Sequence, residues 1–190
     1  MQNLYLERSE KERIGLNMLF TKIYKGIEGR DFFKYNTPAE GFDCYDGGGG
    51  ILNNGSKVRS QIFEVKVRDT HYPELMLEKI KLEALNKKAK EFDADAYYVN
   101  ITPSGCYIFK LKDTLEYNWI KEMHWASTTD KSRGKKLKSL VYIPLSDGRV
   151  YNDITRKLIE EEFIKSKTPN ISKDIKCKNC GLDFFFETKK

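Results

Sequence analysis

The sequence predicts an α/β fold, a mixed central sheet flanked by helices, and three observations carry that reading. Apolar residues Ile14, Leu16, Met18, Leu19, Ile23 and Ile27 recur at roughly helical spacing near the start of the chain. The run Ile62-Phe63-Glu64-Val65-Lys66-Val67 is rich in β-branched and aromatic residues and follows a glycine-rich turn, the mark of a strand. A long amphipathic stretch then leads to two further strand-like runs, so strands and helices alternate.

The elements follow in chain order. Ser9 and Glu12 have the spacing of a capping box, predicting a first helix from there to about Gly29. Residues 32–38 read as a loop and 40–46 as the first core strand. Gly47-Gly48-Gly49-Gly50 lacks the lysine-serine/threonine ending of a phosphate loop, and Asn53-Asn54-Gly55 follows it. The segment therefore reads as a flexible hairpin connection. Leu75, Leu77, Ile80, Leu82 and Leu85 predict a helix from about Glu74 to Phe92. Asp95–Ile101 and Cys106–Leu111 read as strands joined by the turn Pro103-Ser104-Gly105. Leu115 to Trp125 reads as a short helix or loop. Leu140–Leu145 is a further strand, and Asp153–Lys165 a last amphipathic helix with Ile154, Leu158, Ile159 and Phe163 on its apolar face.

Strand parity gives the first functional signal. Glu64 and Lys66 share one face, while Phe63, Val65 and Val67 point to the other. A carboxylate and an ammonium on a buried strand are costly unless paired or bound to something. An acid on a neighbouring strand would let the set grip a hard divalent cation through oxygen ligands. Asp43, inside the apolar stretch Gly41-Phe42-Asp43-Cys44-Tyr45, is preferred for that role over Asp46, which begins the turn.

The set Asp43 … Glu64-Val65-Lys66, with its order of acid, glycine-rich turn, E-x-K strand and amphipathic helix, resembles the PD-(D/E)xK nuclease superfamily over about residues 8 to 145. The proline that usually precedes the first acid is replaced by Phe42. The resemblance implies a restriction-endonuclease-like αβββαβ core and a metal-dependent nuclease of phage type, cutting DNA as an endonuclease. It implies Asp43, Glu64 and Lys66 as the catalytic set. Asp43, Glu64 and the carbonyl of Val65 would hold Mg²⁺ or Mn²⁺. Glu10 or Glu12 is the candidate for a further acid from the first helix. Lys81, three residues from Glu78 on one helix face, would contact phosphate. Two rival readings remain: a non-catalytic nucleic-acid-binding module on the same fold, and an RNA-processing nuclease.

The most basic stretch runs from Thr128 to Lys138. Thr128, Thr129, Arg133, Lys135 and Lys136 suit contacts to nucleic-acid phosphates, and the net charge of +6 is compatible with a polyanionic partner. Superfamily members often act as dimers, so a homodimer is the expected assembly. His71 and His124 stand alone, without metal-ligand spacing.

Cys177-Lys178-Asn179-Cys180-Gly181, followed by aromatics, has the shape of half a zinc knuckle. Two thiolates do not close a Zn²⁺ site: either the tail is a degenerate remnant, or further ligands come from Cys44, Cys106 or a partner chain, or the chain is truncated. The division expected is a nuclease-like domain over 1–168 and a tail over 169–190. Apolar residues at 39% and aromatics at 13% argue against disorder. No run has the length of a membrane span, the start lacks the apolar core of a signal peptide, and the four cysteines suggest no disulfide framework. A cytoplasmic location is expected.

Overall fold

The structure, a computed structural model, describes residues 2–24, 31–36, 45–127, 131–167, 175–176 and 183–184. Helix α1 (Gln2–Leu19) leads through a π-helical turn (Phe20–Tyr24) to strands β1 (Asp31–Asn36), β2 (Gly47–Asn53) and β3 (Ser56–Val67), an antiparallel meander. Strand β4 (Glu74–Glu78) and helix α2 (Lys79–Glu91) then return the chain so that β5 (Ala94–Thr102) lies parallel to β3. Strands β6 (Gly105–Lys110) and β9 (Arg149–Tyr151) complete a mixed sheet of order β1-β2-β3-β5-β6-β9. The αβββαβ core is therefore present, with β4 inserted before its second helix.

A second sheet, β4-β8-β7, is built from β4, β7 (Ile120–Trp125) and β8 (Lys135–Pro144). Helix α3 (Arg156–Lys167) follows β9. The short strands β10 (Ile175–Lys176) and β11 (Asp183–Phe184) pair antiparallel in the tail.

Two apolar clusters hold the sheet between layers. Ile14, Leu16, Leu19 and Phe20 of the first helical segment pack with Phe63, Val65, Val99, Ile101, Ile154 and Ile159. On the other side Ile62, Leu75, Leu77, Ala96 and Phe109 pack with Leu82, Leu85 and Ala89 of α2. Alternate residues of β3 thus serve opposite cores, as its parity predicts.

Several elements differ from expectation. The first helix starts at Gln2, so Ser9 lies inside it and caps nothing. The four glycines are not a connection but the buried half of β2, hydrogen-bonded to β1 and β3 at once. Ladder bonds on both sides hold extended a segment with little intrinsic strand preference. The hairpin turn lies beyond them, where Asn54 and Gly55 take φ of 50° and 76°. Of the predicted strand 40–46, residues 40–44 lie outside the described residues.

The segment 74–78 is strand rather than helix, because Leu75 and Leu77 alternate into the core and the backbone pairs with β8. Residues 120–125 pair with β8 as well, so the expected helix or loop there contains a strand. Among the described residues, no helix is long and apolar enough to cross a membrane.

Candidate active site

Asp46, Glu64, Lys66, Lys81 and Glu12 converge at one place, brought there from separate segments of the chain. Strand parity puts Glu64 and Lys66 on one face of β3, and Glu64 is only 4% exposed. Backbone pairing positions Asp46. Its N–H donates to the Phe63 carbonyl at 2.8 Å, which continues the β2–β3 ladder to the residue before Gly47. Its Oδ2 in turn accepts from the Val65 N–H. Helix α1 lies against β3 and carries Glu12 to the same point, and the first turn of α2 brings Lys81 Nζ to 3.6 Å from Glu64 Oε1.

The centre of the cluster is Lys66 Nζ. It lies 3.0 Å from Glu64 Oε1, 3.0 Å from Glu12 Oε1 and 3.9 Å from Asp46 Oδ2, and it donates to the Val65 carbonyl at 2.8 Å. Four oxygen donors from three elements therefore surround one ammonium. That donor set, three carboxylates and a backbone carbonyl, fits Mg²⁺ or Mn²⁺. Among the described residues no three acidic, histidine or cysteine side chains already stand as a ready-made ligand group. The acids are arranged about the lysine instead, and the ammonium holds the seat that a cation with the same ligands would take.

The electrostatics follow from burial of like charges. Burial pushes the Asp46 carboxyl up to about 7; Lys66 opposes the rise, while Glu64 and Glu12 add to it. Glu12 is raised by burial too, against the pull of Lys66. Burial works against the Lys66 ammonium, but Glu64, Asp46 and Glu12 outweigh it and hold the group charged well above its ordinary range. All three shifts run upward, and perturbed groups clustered in this way mark a candidate functional site.

The other predicted residues divide. Asp43 lies outside the described residues, and the structure seats its rival Asp46 beside Val65. Of the two helix acids Glu12 joins the cluster, whereas Glu10 pairs with Arg13 on the surface. Glu78 does not share a helix face with Lys81: it is the last residue of β4 and takes Lys138 Nζ at 2.7 Å. Arg133, Lys135 and Lys136 are exposed on the β7–β8 ribbon, while Thr128 and Thr129 lie outside the described residues. His124 Nε2 lies 3.0 Å from Glu122 and His71 Nδ1 3.3 Å from Thr102 Oγ1, away from the cluster.

Cys177, Cys180 and Cys44 also lie outside the described residues. Cys106 is not available to complete a zinc site. It is fully buried in the core, and burial pushes its thiol up to about 12, far from the thiolate that zinc requires.

The fold and the cluster together define a mixed-sheet α/β protein with an acid-rich, lysine-centred site on its central strand. One solved structure similar to it is Hjc, a Holliday junction resolvase from the archaeal hyperthermophile Archaeoglobus fulgidus. That structure aligns at a TM-score of 0.45 and 20% identity over 74% of this chain and 96% of that one. No family model and no curated protein matches the chain.

Proposed function

We propose that the protein is a metal-dependent nuclease that hydrolyses phosphodiester bonds, with DNA as its substrate and an endonucleolytic, phage-type mode of action. The observation that carries this reading is the oxygen set of Glu12, Asp46, Glu64 and the Val65 carbonyl gathered about Lys66 Nζ. Asp46, rather than Asp43, then takes the first-acid role, because its backbone bonds Phe63 and its carboxylate accepts from the Val65 N–H.

The chain's own groups have distinct tasks. Glu12, Asp46, Glu64 and the Val65 carbonyl hold the cation, which when bound supplies Lewis-acid polarisation of the phosphodiester and lowers the pKa of water. Lys66 remains protonated and, released from the carboxylates, offsets negative charge developing on the phosphorus oxygens. Lys81, already beside Glu64, contributes a second cation on the same face. Arg133, Lys135 and Lys136 bind backbone phosphates away from the chemistry. A homodimer and a Zn²⁺ role for Cys177 and Cys180 belong to the same proposal.

The test is cleavage with Mg²⁺ or Mn²⁺ of plasmid, linear duplex, single-stranded DNA, RNA and a four-way junction, with Lys66→Ala and Asp46→Ala alongside. Metal-dependent cutting of DNA, lost in both variants, is the expected result. Cutting confined to RNA would make the protein an RNA-processing nuclease. Binding without cutting of any substrate would make it a binding module.

A further inference from the structure

We infer that Arg68 is a substrate-binding residue that grips a backbone phosphate beside the one cleaved, with Asn100 and Tyr98 as its positioning residues. The inference rests on the nuclease reading of the neighbouring cluster and extends it.

Strand parity is the first ground. Arg68 follows Glu64 and Lys66 at the same spacing, so it projects from the same face about 7 Å beyond Lys66. The second ground is how the guanidinium is held. Its Nε donates to Asn100 Oδ1 at 3.1 Å and its Nη2 to the Tyr98 hydroxyl at 2.9 Å. The Tyr98 hydroxyl is itself fixed, donating to the Met76 carbonyl at 3.0 Å. Asn100, the register partner of Lys66 on β5, is completely buried. A buried polar chain of this kind sets the orientation of the guanidinium plane.

Both of these partners are neutral, and among the described residues Arg68 makes no ion pair. An arginine with a purely structural role at this position would be expected to meet a carboxylate. An amide and a phenol orient the guanidinium without cancelling its charge. Two of its five donors are used by these bonds, leaving an open edge for a bidentate anion.

The third ground is the space beside it. A cleft of about 370 Å³ is lined by Arg68 and by Glu12, and so borders the cluster at Glu12. Arg8, Lys11 and Arg156 also line it, with the acids Glu7, Asp69 and Glu160, and each of these three cations is already engaged. Lys11 meets Glu7 at 2.6 Å and Glu160 at 2.9 Å, and Arg156 meets Asp69 at 2.8 Å and Glu160 at 3.0 Å. A phosphate entering next to the metal site therefore meets an oriented, uncompensated guanidinium in Arg68.

Two readouts on the full chain test this. Duplex DNA binding is measured by anisotropy over a salt series in EDTA, and cleavage kinetics are measured with Mg²⁺, for wild type, Arg68→Ala, Arg68→Lys and Asn100→Asp. Removing one phosphate contact should make the log K against log salt slope shallower by about 0.9 and weaken binding about tenfold. Arg68→Lys should keep the slope but lose kcat, because charge remains and orientation does not. Asn100→Asp keeps the shape and the bond to Arg68 but neutralises it, so its slope should match that of Arg68→Ala. Lys90→Ala, which removes a charge at the far end of α2, should leave kcat unchanged.

Thermal melting of each variant identifies any that fails to fold, and Arg68→Lys and Asn100→Asp are the independent arms. A wild type that cuts, with Arg68→Ala equal to it in slope, KM and kcat, would overturn the Arg68 assignment alone. A wild type that never cuts, with the slope loss still present at Arg68, would overturn the nuclease reading and sustain the phosphate contact.

Discussion

Asp46 makes the metal-free site work against the fold, and the sign of that effect is open to measurement. Its folded-state pKa of about 7 lies above its ordinary 3.8, so the folded protein binds the proton more tightly than the unfolded chain does. The group's stabilising contribution is full below about pH 4 and is lost as pH rises towards about 7, on the order of 2–4 kcal/mol. Metal-free protein should lose stability across that window, counter to the usual carboxylate trend. Asp46→Asn, which keeps an acceptor for the Val65 N–H, should be about 2 kcal/mol more stable than wild type near pH 8 and no better near pH 4. Urea unfolding in EDTA at the two pH values checks it, and equal stabilities at both would contradict the burial argument.

On the proposed reading the same carboxyl would make cation binding a deprotonation. A divalent cation needs Asp46 ionised, so the rise in melting temperature on adding Mg²⁺ should be larger at about pH 8 than at about pH 6. Lys66→Ala vacates the seat among the four oxygens while removing a positive charge. It should therefore bind Mn²⁺ more tightly than wild type by calorimetry, even as cleavage is lost. Weaker Mn²⁺ binding would show that the lysine and the cation do not compete for one place.

At the scale of elements, Glu12 reaches the site because α1 lies close to the sheet, and Gly15 sets that approach. A Cβ there would stand 2.6 Å from Ile101 Cδ1, and 3.6 Å from atoms of Val65 and Ile159. Gly15→Ala gains helix propensity of up to about 1 kcal/mol but forces the Ile101 methyl to move, at a cost of about 1–3 kcal/mol. Valine lacks that methyl, so Gly15→Ala should cost about 1 kcal/mol less in an Ile101→Val background than alone. Gly15→Leu has no such remedy: it should lift α1, carry Glu12 from Lys66 and weaken Mn²⁺ binding along with stability. Strict additivity of the Ala and Val changes in denaturation would refute the close-approach account.

Elements are legible in the sequence where a single period runs the length of one segment. Strand β3 shows this best: its parity alone places Glu64 and Lys66 together and Phe63 and Val65 in the core. The stretch 74–92 reads as one helix because Leu75 and Leu77 fall into step with Leu82 and Leu85. Only pairing with β8 separates the strand from the helix. The glycines of β2 carry no side-chain pattern, so neither their strand nor the pairing that brings Asp46 Oδ2 to the Val65 N–H is visible in the residues. Glu12 is a candidate from the first helix, but the docking face that selects it over Glu10 is a tertiary property. Arg68 carries a readable signal, the continuation of the E-x-K parity by two residues. Its neutral anchoring by Asn100 depends on the parallel β3–β5 register.

At the scale of the whole molecule, the acid–lysine cluster and the basic ribbon are linked through Glu78. Strand β4 ends at Glu78, paired with Leu140, so residues 135–139 of β8 pair with β7 and run past the end of β4. The same Glu78 leads into α2 and, three residues on, to Lys81 at the cluster. Lys138 ties the ribbon to this junction through Glu78. Beyond it stand exposed Lys136, Lys135 and Arg133, with Trp125 lying 5.6 Å below Lys131 and 5.5 Å below Lys135. On the proposed reading such a ribbon would hold a duplex by its phosphates without reading its sequence.

Replacing Arg133, Lys135 and Lys136 together by Ala should therefore weaken binding about equally for duplexes of unrelated sequence, and make the salt slope shallower by about 2–3. The three side chains are exposed and distant from the apolar clusters, so unfolding free energy should stay within about 0.5 kcal/mol of wild type. With saturating DNA and Mg²⁺, kcat should be retained while KM rises, the reverse of the loss expected at Lys66. A fall in kcat with KM unchanged would place the ribbon in the chemistry rather than along the substrate's path to it.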